Sequence, residues 1–147
     1  MKILVTGFTG QLGYDVVRKG KKVGLDMYGV GSKDLDITNE EAVNKYIEKI
    51  YPDAIIHSAA YTVVDNAEDE KGLCRKVNVD GTEYLVRAAK KINAKFMYIS
   101  TDYVFDGTND KPFLELDKPN PIGYYGQTKY EGEQKVRKIL EEWFIVR

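Results

Sequence analysis

A chain of 147 residues is long enough for one domain with a sizeable core, and 43% hydrophobic with 31% charged residues is ordinary for a soluble globular protein. A formal charge of −1 supplies no field that would favour nucleic acid or an anionic membrane. One cysteine, Cys74, excludes an internal disulfide and points to a cytoplasmic setting, and no His/Cys cluster offers a metal site.

The run from Met1 to Gly7 is too short and too soon interrupted for a signal peptide or a membrane span. Lys2 to Thr6 is a short apolar run closed by glycine, the sign of a buried parallel strand. Thr6-Gly7-Phe8-Thr9-Gly10-Gln11-Leu12-Gly13 then opens a helix expected from Gln11 to about Lys19. Lys22 to Val30 can supply a second strand, and Asp36-Ile37 a short third one. Thr38 or Asn39 caps the next helix, with Glu40 and Glu41 in its first turn. Val43, Tyr46, Ile47 and Ile50 lie at helical spacing, and Pro52 ends that helix before the strand Ala54-Ile55-Ile56-His57. A long helical region from about Asp69 to Ile92 has Leu73, Val77, Leu85, Val86 and Ala89 as its apolar face. The strand Phe96 to Ile99 follows, then a polar loop with three prolines, then a helix from about Tyr124 to Glu142.

Strands alternating with helices predict an α/β fold: a Rossmann-type, doubly wound parallel sheet with helices on both faces. With no linker, repeat or low-complexity stretch, residues 1–147 read as one domain. Trp143-Phe144-Ile145-Val146-Arg147 looks like a strand in which Trp143 and Phe144 pack, not a tail, so the chain is expected to be a fragment.

Gly7-x-x-Gly10-x-x-Gly13 sits between the first strand and the first helix. Glycine there permits a tight turn and close approach of backbone to a pyrophosphate, while the helix start offers unpaired N–H groups. Gly7, Gly10, Gln11, Leu12 and Gly13 are therefore candidate cofactor-binding residues. The spacing resembles that of the extended short-chain dehydrogenase/reductase family. In that family the end of the second strand helps choose between NAD and NADP. Here Gly31-Ser32-Lys33 has no carboxylate before Asp34, and Ser32 and Lys33 can hold a 2′-phosphate. NADPH is the expected cofactor, with NADH also compatible. Lys33 as a solvated surface charge is the competing reading. The family's acid–hydrophobic pair beside the adenine is matched by Asp36-Ile37.

Tyr125 and Lys129 are four apart on one helix face. A free phenol titrates near 10, and a nearby ammonium is expected to lower that value so that Tyr125 can give a proton to a carbonyl. Thr101, at a strand end, can donate a second hydrogen bond to the oxygen where charge develops. Only Tyr125, not Tyr124, has a lysine four residues on.

Four blocks, TGFTGQLG, HSAAYTVVDNAEDE, STDYVFDG and YGQTKYEGE, resemble the dTDP-4-dehydrorhamnose reductases, a branch of the extended family. The resemblance implies catalytic roles for Thr101, Tyr125 and Lys129, with Tyr125 and Lys129 also meeting the cofactor. It implies a cofactor-lining turn at Ala59, Ala60, Tyr61 and Thr62, a sugar contact at Asp102 beside Thr101, and a bracing role for Asn78. Related 4,6-dehydratases carry Thr-Asp-Glu where this chain has Thr101-Asp102-Tyr103, which favours reduction over elimination. The expected reaction is NAD(P)H-dependent reduction of the 4-ketone of a dTDP-linked deoxysugar, giving dTDP-L-rhamnose. The rivals are an NAD-dependent sugar epimerase and a non-catalytic regulatory subunit on the same fold, similar to that of methionine adenosyltransferase. The expected partner is the dTDP-sugar, with a homodimer compatible. Because chains of that family are roughly twice as long, residues 1–147 alone are expected to bind cofactor weakly or moderately and turn over little or no substrate.

His57, the only histidine, is expected to be a hydrogen-bonded structural residue, and Cys74 a core one. Asp65, Glu68, Asp69 and Glu70 read as a solvated helix start, and Lys19, Lys21 and Lys22 as a solvated turn.

Overall fold

The structure, a computed structural model, describes residues 1–108 and 110–147. Five parallel strands lie in the order β2-β1-β3-β4-β5. They are β1 (Lys2–Thr6), β2 (Asp26–Val30), β3 (Ala54–His57), β4 (Lys95–Ile99) and β5 (Trp143–Val146). Thr6, at the end of β1, lies opposite Val30 of β2 and His57 of β3, so three strand ends open onto one crevice. The chain leaves β1 towards β2 on one side and reaches β3 on the other. This reversal is where doubly wound sheets bind ligands.

Helices α1 (Gln11–Lys22), α2 (Glu40–Ile50), α3 (Lys71–Arg75), α4 (Thr82–Lys91) and α5 (Tyr124–Ile139) cover the sheet. On one face Ile3, Val5 and Met27 pack on Val17 of α1. On the other, Leu4, Ile55, Phe96 and Tyr98 meet Val43 and Ile47 of α2, Leu85, Val86 and Ala89 of α4, and Val136 of α5. The alternation of apolar side chains along each strand thus feeds two separate cores.

The helix starts are built differently. Asn39, the cap of α2, accepts the Ala42 N–H at 3.0 Å, and two acids occupy the first turn. Gly10, the cap of α1, provides no side-chain oxygen, and that first turn holds no acid. The ends of α2 also follow from sequence: Tyr51 takes a left-handed conformation before Pro52 and closes the helix.

Several boundaries differ from expectation. Helix α1 continues to Lys22, and β2 starts only at Asp26, because the Val23–Gly24 turn must reverse the chain first. Asp36-Ile37 forms no strand: the Asp36 carboxylate accepts both the N–H and the hydroxyl of Thr38, at 2.9 and 2.7 Å, which folds the segment into a turn. The long helix is interrupted by a π-helical turn, Lys76–Gly81, between α3 and α4. Helix α5 ends at Ile139, before the turn into β5. Trp143 packs against the main core beneath the Arg137 guanidinium, but Phe144 is 61% exposed. Alternation on β5 turns Phe144 to the other face of the sheet, where α1 packs on β1 and β2 and does not reach it.

No helix among the described residues is long and apolar enough to cross a membrane.

Candidate active site

A cleft of about 420 Å³ opens at the reversal point, between the loops that follow β1, β2 and β3. Gly7, Gly10, Ser32, Asp36, Ile37, Ala59, Ala60, Tyr61 and Thr62 all line it. Gly7 has φ +75°, and a Cβ there would stand 2.7 Å from Ala59 N. Only glycine reconciles that conformation with the close passage of the next strand's loop. Gly13 is buried instead, and a Cβ on it would meet Gly7 O at 2.3 Å, so it lets α1 approach the loop that follows β1. Gln11 and Leu12 are exposed at the first turn and stand outside the cleft lining; what they offer is backbone N–H. Lys33 is likewise exposed and outside the lining. The carboxylate nearest the end of β2, on Asp34, is turned back onto Gly31 N at 2.9 Å.

The cradle suits a dinucleotide. An uncapped, acid-free helix start with glycine at the cap leaves N–H groups and the positive end of the helix for a phosphate. Leu73 and Val77, expected on the apolar face of one helix, line the same cleft, and Leu73 is 49% exposed. Helical period marks them as one face of a helix but does not say whether that face meets core or cleft. A Gly7→Ala substitution is expected to cost about 1–3 kcal/mol of stability and to abolish tight nucleotide binding. Urea unfolding and titration with NADPH check both.

A second cavity, of about 630 Å³, adjoins the end of β4. Asp102, Tyr103, Phe105, Phe113, Ile122 and Tyr125 are among its walls. Phe105 and Phe113 stack with centroids 4.2 Å apart, a wall that nothing in the sequence spacing announces. Tyr125 is 9% exposed, with Tyr103 edge-on against its ring at 5.6 Å. Thr101 caps the short turn after β4, accepting Tyr103 N–H at 3.2 Å, and its hydroxyl donates to Asp102 at 3.1 Å.

The electrostatics run against expectation. Burial pushes the Tyr125 phenol up, and the Thr101 hydroxyl facing it is what opposes that shift. The Lys129 ammonium is engaged elsewhere. Its Nζ donates to Ile99 O at 2.7 Å and sits 4.3 Å from the centre of the Tyr98 ring. Burial pushes the Lys129 ammonium down to about 7, against the pull of Glu133. A lysine with a weakened charge, tied to the end of β4, does not lower the phenol as a free ammonium would.

Asn78, in the π turn, holds the Tyr61 backbone from both sides. It accepts Tyr61 N–H at 2.8 Å, and its amide nitrogen lies 3.2 Å from Tyr61 O and 3.1 Å from Thr128 Oγ1 of α5. The acidic run is more than a solvated helix start: Glu68 accepts the Tyr124 N–H at the start of α5, and Glu70 accepts the Tyr61 hydroxyl. Cys74 is buried against Thr128.

His57 is buried with a threonine hydroxyl at each ring nitrogen. Burial, assisted by the Lys129 ammonium, pushes its imidazole down to about 3 from an ordinary 6.5. Above 6.5 both the folded and unfolded chains are neutral at this residue, while between 6.5 and about 3 only the unfolded chain gains the proton. Stability is therefore expected to fall as pH falls through that window, by up to about 1.4 kcal/mol per pH unit from this group. Urea midpoints of the parent and His57→Asn at pH 5 and pH 7 isolate the slope.

A nucleotide cradle at the reversal point of a parallel sheet, with a hydroxyl-bearing second cavity beside it, is the build of a Rossmann-type dinucleotide-binding protein. The chain belongs to the RmlD substrate binding domain family, whose model matches residues 1–147. It is 37% identical to a dTDP-4-dehydrorhamnose reductase of Escherichia coli over 150 residues, an alignment covering 100% of this chain and 50% of the relative. Among solved structures it superposes with a TM-score of 0.97 on a dTDP-4-dehydrorhamnose reductase of Clostridium acetobutylicum, at 42% identity over 100% of this chain and 52% of that one. The reductase of Bacillus anthracis, solved in complex with NADP, gives a TM-score of 0.96 at 42% identity, over 100% of this chain and 53% of that one. The chain spans about half the length of the curated relatives it matches.

Proposed function

We propose that this chain carries the cofactor and proton-donating part of a cytoplasmic NADPH-dependent reductase that converts dTDP-4-dehydrorhamnose to dTDP-L-rhamnose. The observation that carries the reading is Tyr125, a hydroxyl-bearing residue in the wall of a cavity beside the dinucleotide cleft, with Thr101 capping the turn that brings Asp102 and Tyr103 to the same cavity. The relatives' names and the NADP complex of the Bacillus anthracis reductase support it.

In this reading the first-turn N–H groups of α1, with Gly7 and Gly10, hold the pyrophosphate, and Asp36 and Ile37 flank the adenine. Ser32 is the side chain placed to meet a 2′-phosphate, with Lys33 reaching it only by extending its side chain. The turn Ala59–Thr62, with Leu73 and Val77, walls the nicotinamide half. NADPH, when bound, supplies the hydride. Tyr125 delivers the proton to the substrate oxygen, and Thr101 donates a hydrogen bond to that oxygen as negative charge develops on it. Lys129 steadies the end of β4 from which Thr101 projects and is available to the cofactor ribose. Asp102 meets the sugar. Tyr103 supplies an aromatic wall where an elimination would need a second carboxylate.

The test is the stoichiometry of the reaction, run on a chain that also carries the second half its relatives have. One NADPH consumed per dTDP-L-rhamnose formed is expected. Epimerised product with no net cofactor use would replace this reading with an epimerase.

A further inference from the structure

We propose that His57 is a positioning residue for the cofactor cleft: as the neutral imidazole protonated at Nε2, it draws the Thr6 hydroxyl proton to Nδ1 and leaves the Thr6 oxygen to hold Ala59 N–H and the turn that starts there. The cofactor clause rests on the functional reading of the cleft given above; the tautomer does not.

The hydrogen-bond directions follow from counting protons. Ala59 N–H donates to Thr6 Oγ1 at 3.3 Å, so that oxygen already accepts once. Thr6 has one hydroxyl proton to give, and His57 Nδ1 lies 2.7 Å away. At the other end Thr82 Oγ1 donates to Asn78 O, a carbonyl that can only accept, at 2.7 Å. The Thr82 hydroxyl proton is thereby spent, and His57 Nε2, 3.0 Å from Thr82 Oγ1, must be the donor of that bond. The Thr82 end thus selects the tautomer, and a neutral imidazole protonated at Nε2 leaves Nδ1 as the acceptor of the Thr6 proton. The result is a one-way relay: Ala59 N–H to Thr6, Thr6 to His57, His57 to Thr82, Thr82 to Asn78.

Thr6, His57 and Thr82 are each at most 1% exposed, so water does not compete for these bonds. The groups around the ring agree with a neutral form. Tyr98 and Phe96 of β4 stand 5.6 and 6.0 Å from it, the cation of Lys129 comes from α5, and no carboxylate among the described residues hydrogen-bonds it. The relay has a function because of where it ends. Thr6 and Ala59 both line the dinucleotide cleft, and the relay fixes the gap between the ends of β1 and β3. Ser58 Oγ, donating to Thr6 O at 2.5 Å, ties the same junction from the backbone side.

Two substitutions cut the relay at different points. His57→Asn keeps an acceptor where Nδ1 was and loses the reach to Thr82. His57→Gln keeps a donor where Nε2 was and loses the Thr6 acceptor. Because the chain has a single histidine, its imidazole nitrogens are unambiguous in a ¹⁵N spectrum. The expected spectrum shows the proton on Nε2 and no titration between pH 5.5 and 8. In His57→Asn, which keeps the Thr6 acceptor, exchange at Ala59 and NADPH binding should be disturbed distinctly less than in His57→Gln. In His57→Gln exchange at Ala59 should quicken and NADPH binding weaken about 5- to 10-fold, the scale of one hydrogen bond. A proton on Nδ1, an imidazolium in that pH range, or equal losses in the two variants would overturn the proposal. A parent chain with the expected tautomer and exchange pattern but no affinity for NADPH would overturn the functional reading of the cleft, and the cofactor clause with it, leaving the tautomer assigned.

Discussion

Tyr125→Phe is expected to lower turnover by about two to four orders of magnitude while NADPH affinity stays within about twofold. The substitution removes one oxygen and nothing else. The ring keeps its place in a small cluster with Ala67 and Cys74, packed on by Tyr61, Val64 and Tyr124, and keeps Tyr103 edge-on at 5.6 Å. The fold should be unaffected, because burial already disfavours the charged phenolate and the neutral hydroxyl faces Thr101. The loss therefore reports proton delivery alone. Thr101→Val should cost less, about 10- to 100-fold, since it removes a hydrogen bond to the developing charge but leaves the proton donor. The measurement is loss of NADPH absorbance with dTDP-4-dehydrorhamnose, in a chain that also carries the second half its relatives have. Near-parent turnover by the Phe variant would remove Tyr125 from the chemistry.

The largest stability effect is expected at Glu133, a residue that the sequence pattern marks only as another charge on α5. It is fully buried. Ser100 Oγ donates to it at 2.6 Å, and Arg147 gives it two bonds, from Nε at 3.0 Å and Nη2 at 2.7 Å. Arg137 adds a longer contact at 3.9 Å. Helix α5, the end of β4 and the end of β5 are thus tied at one carboxylate. Removing one member of a buried charged set strands the others, at a cost of about 3–5 kcal/mol. Glu133→Ala should lose that amount in urea unfolding, and Glu133→Gln, which can still accept from Ser100, distinctly less. Glu133 also raises the proton affinity of Lys129, against burial. Its loss should therefore leave Lys129 more fully neutral at pH 7. Equal stability of the parent and the Ala variant would show that the network contributes nothing net.

These two residues separate what could be read early from what could not. Tyr125 and Lys129 stand out because four residues on a helix is a fixed geometric relation, independent of surroundings. The glycine loop stands out because Gly7 must take a left-handed conformation and Gly13 must admit a neighbouring backbone, and both needs are local. The Asp36-Ile37 turn was less legible. A side-chain acceptor two residues before Thr38 competes with extension, and short polar stretches carry both possibilities. Leu73 reads only as part of an apolar helix face and Phe144 as a packed strand residue, because apolar character and period say which residues share a face, not what that face meets.

The alternation of strands and helices, the capped start of α2, the anion-ready start of α1 and the i, i+4 pairing of Tyr125 with Lys129 were determined by sequence alone, because each depends on neighbours within a few residues. Tertiary structure decided the rest. It set the charge state of Lys129 and the raised phenol of Tyr125, the protonated nitrogen of His57, the burial of Glu133, and the facing of Leu73 onto the cleft. These are properties of packing between segments distant along the chain. Desolvation and hydrogen-bond supply, which set them, exist only once β1, β3, β4 and α5 have come together.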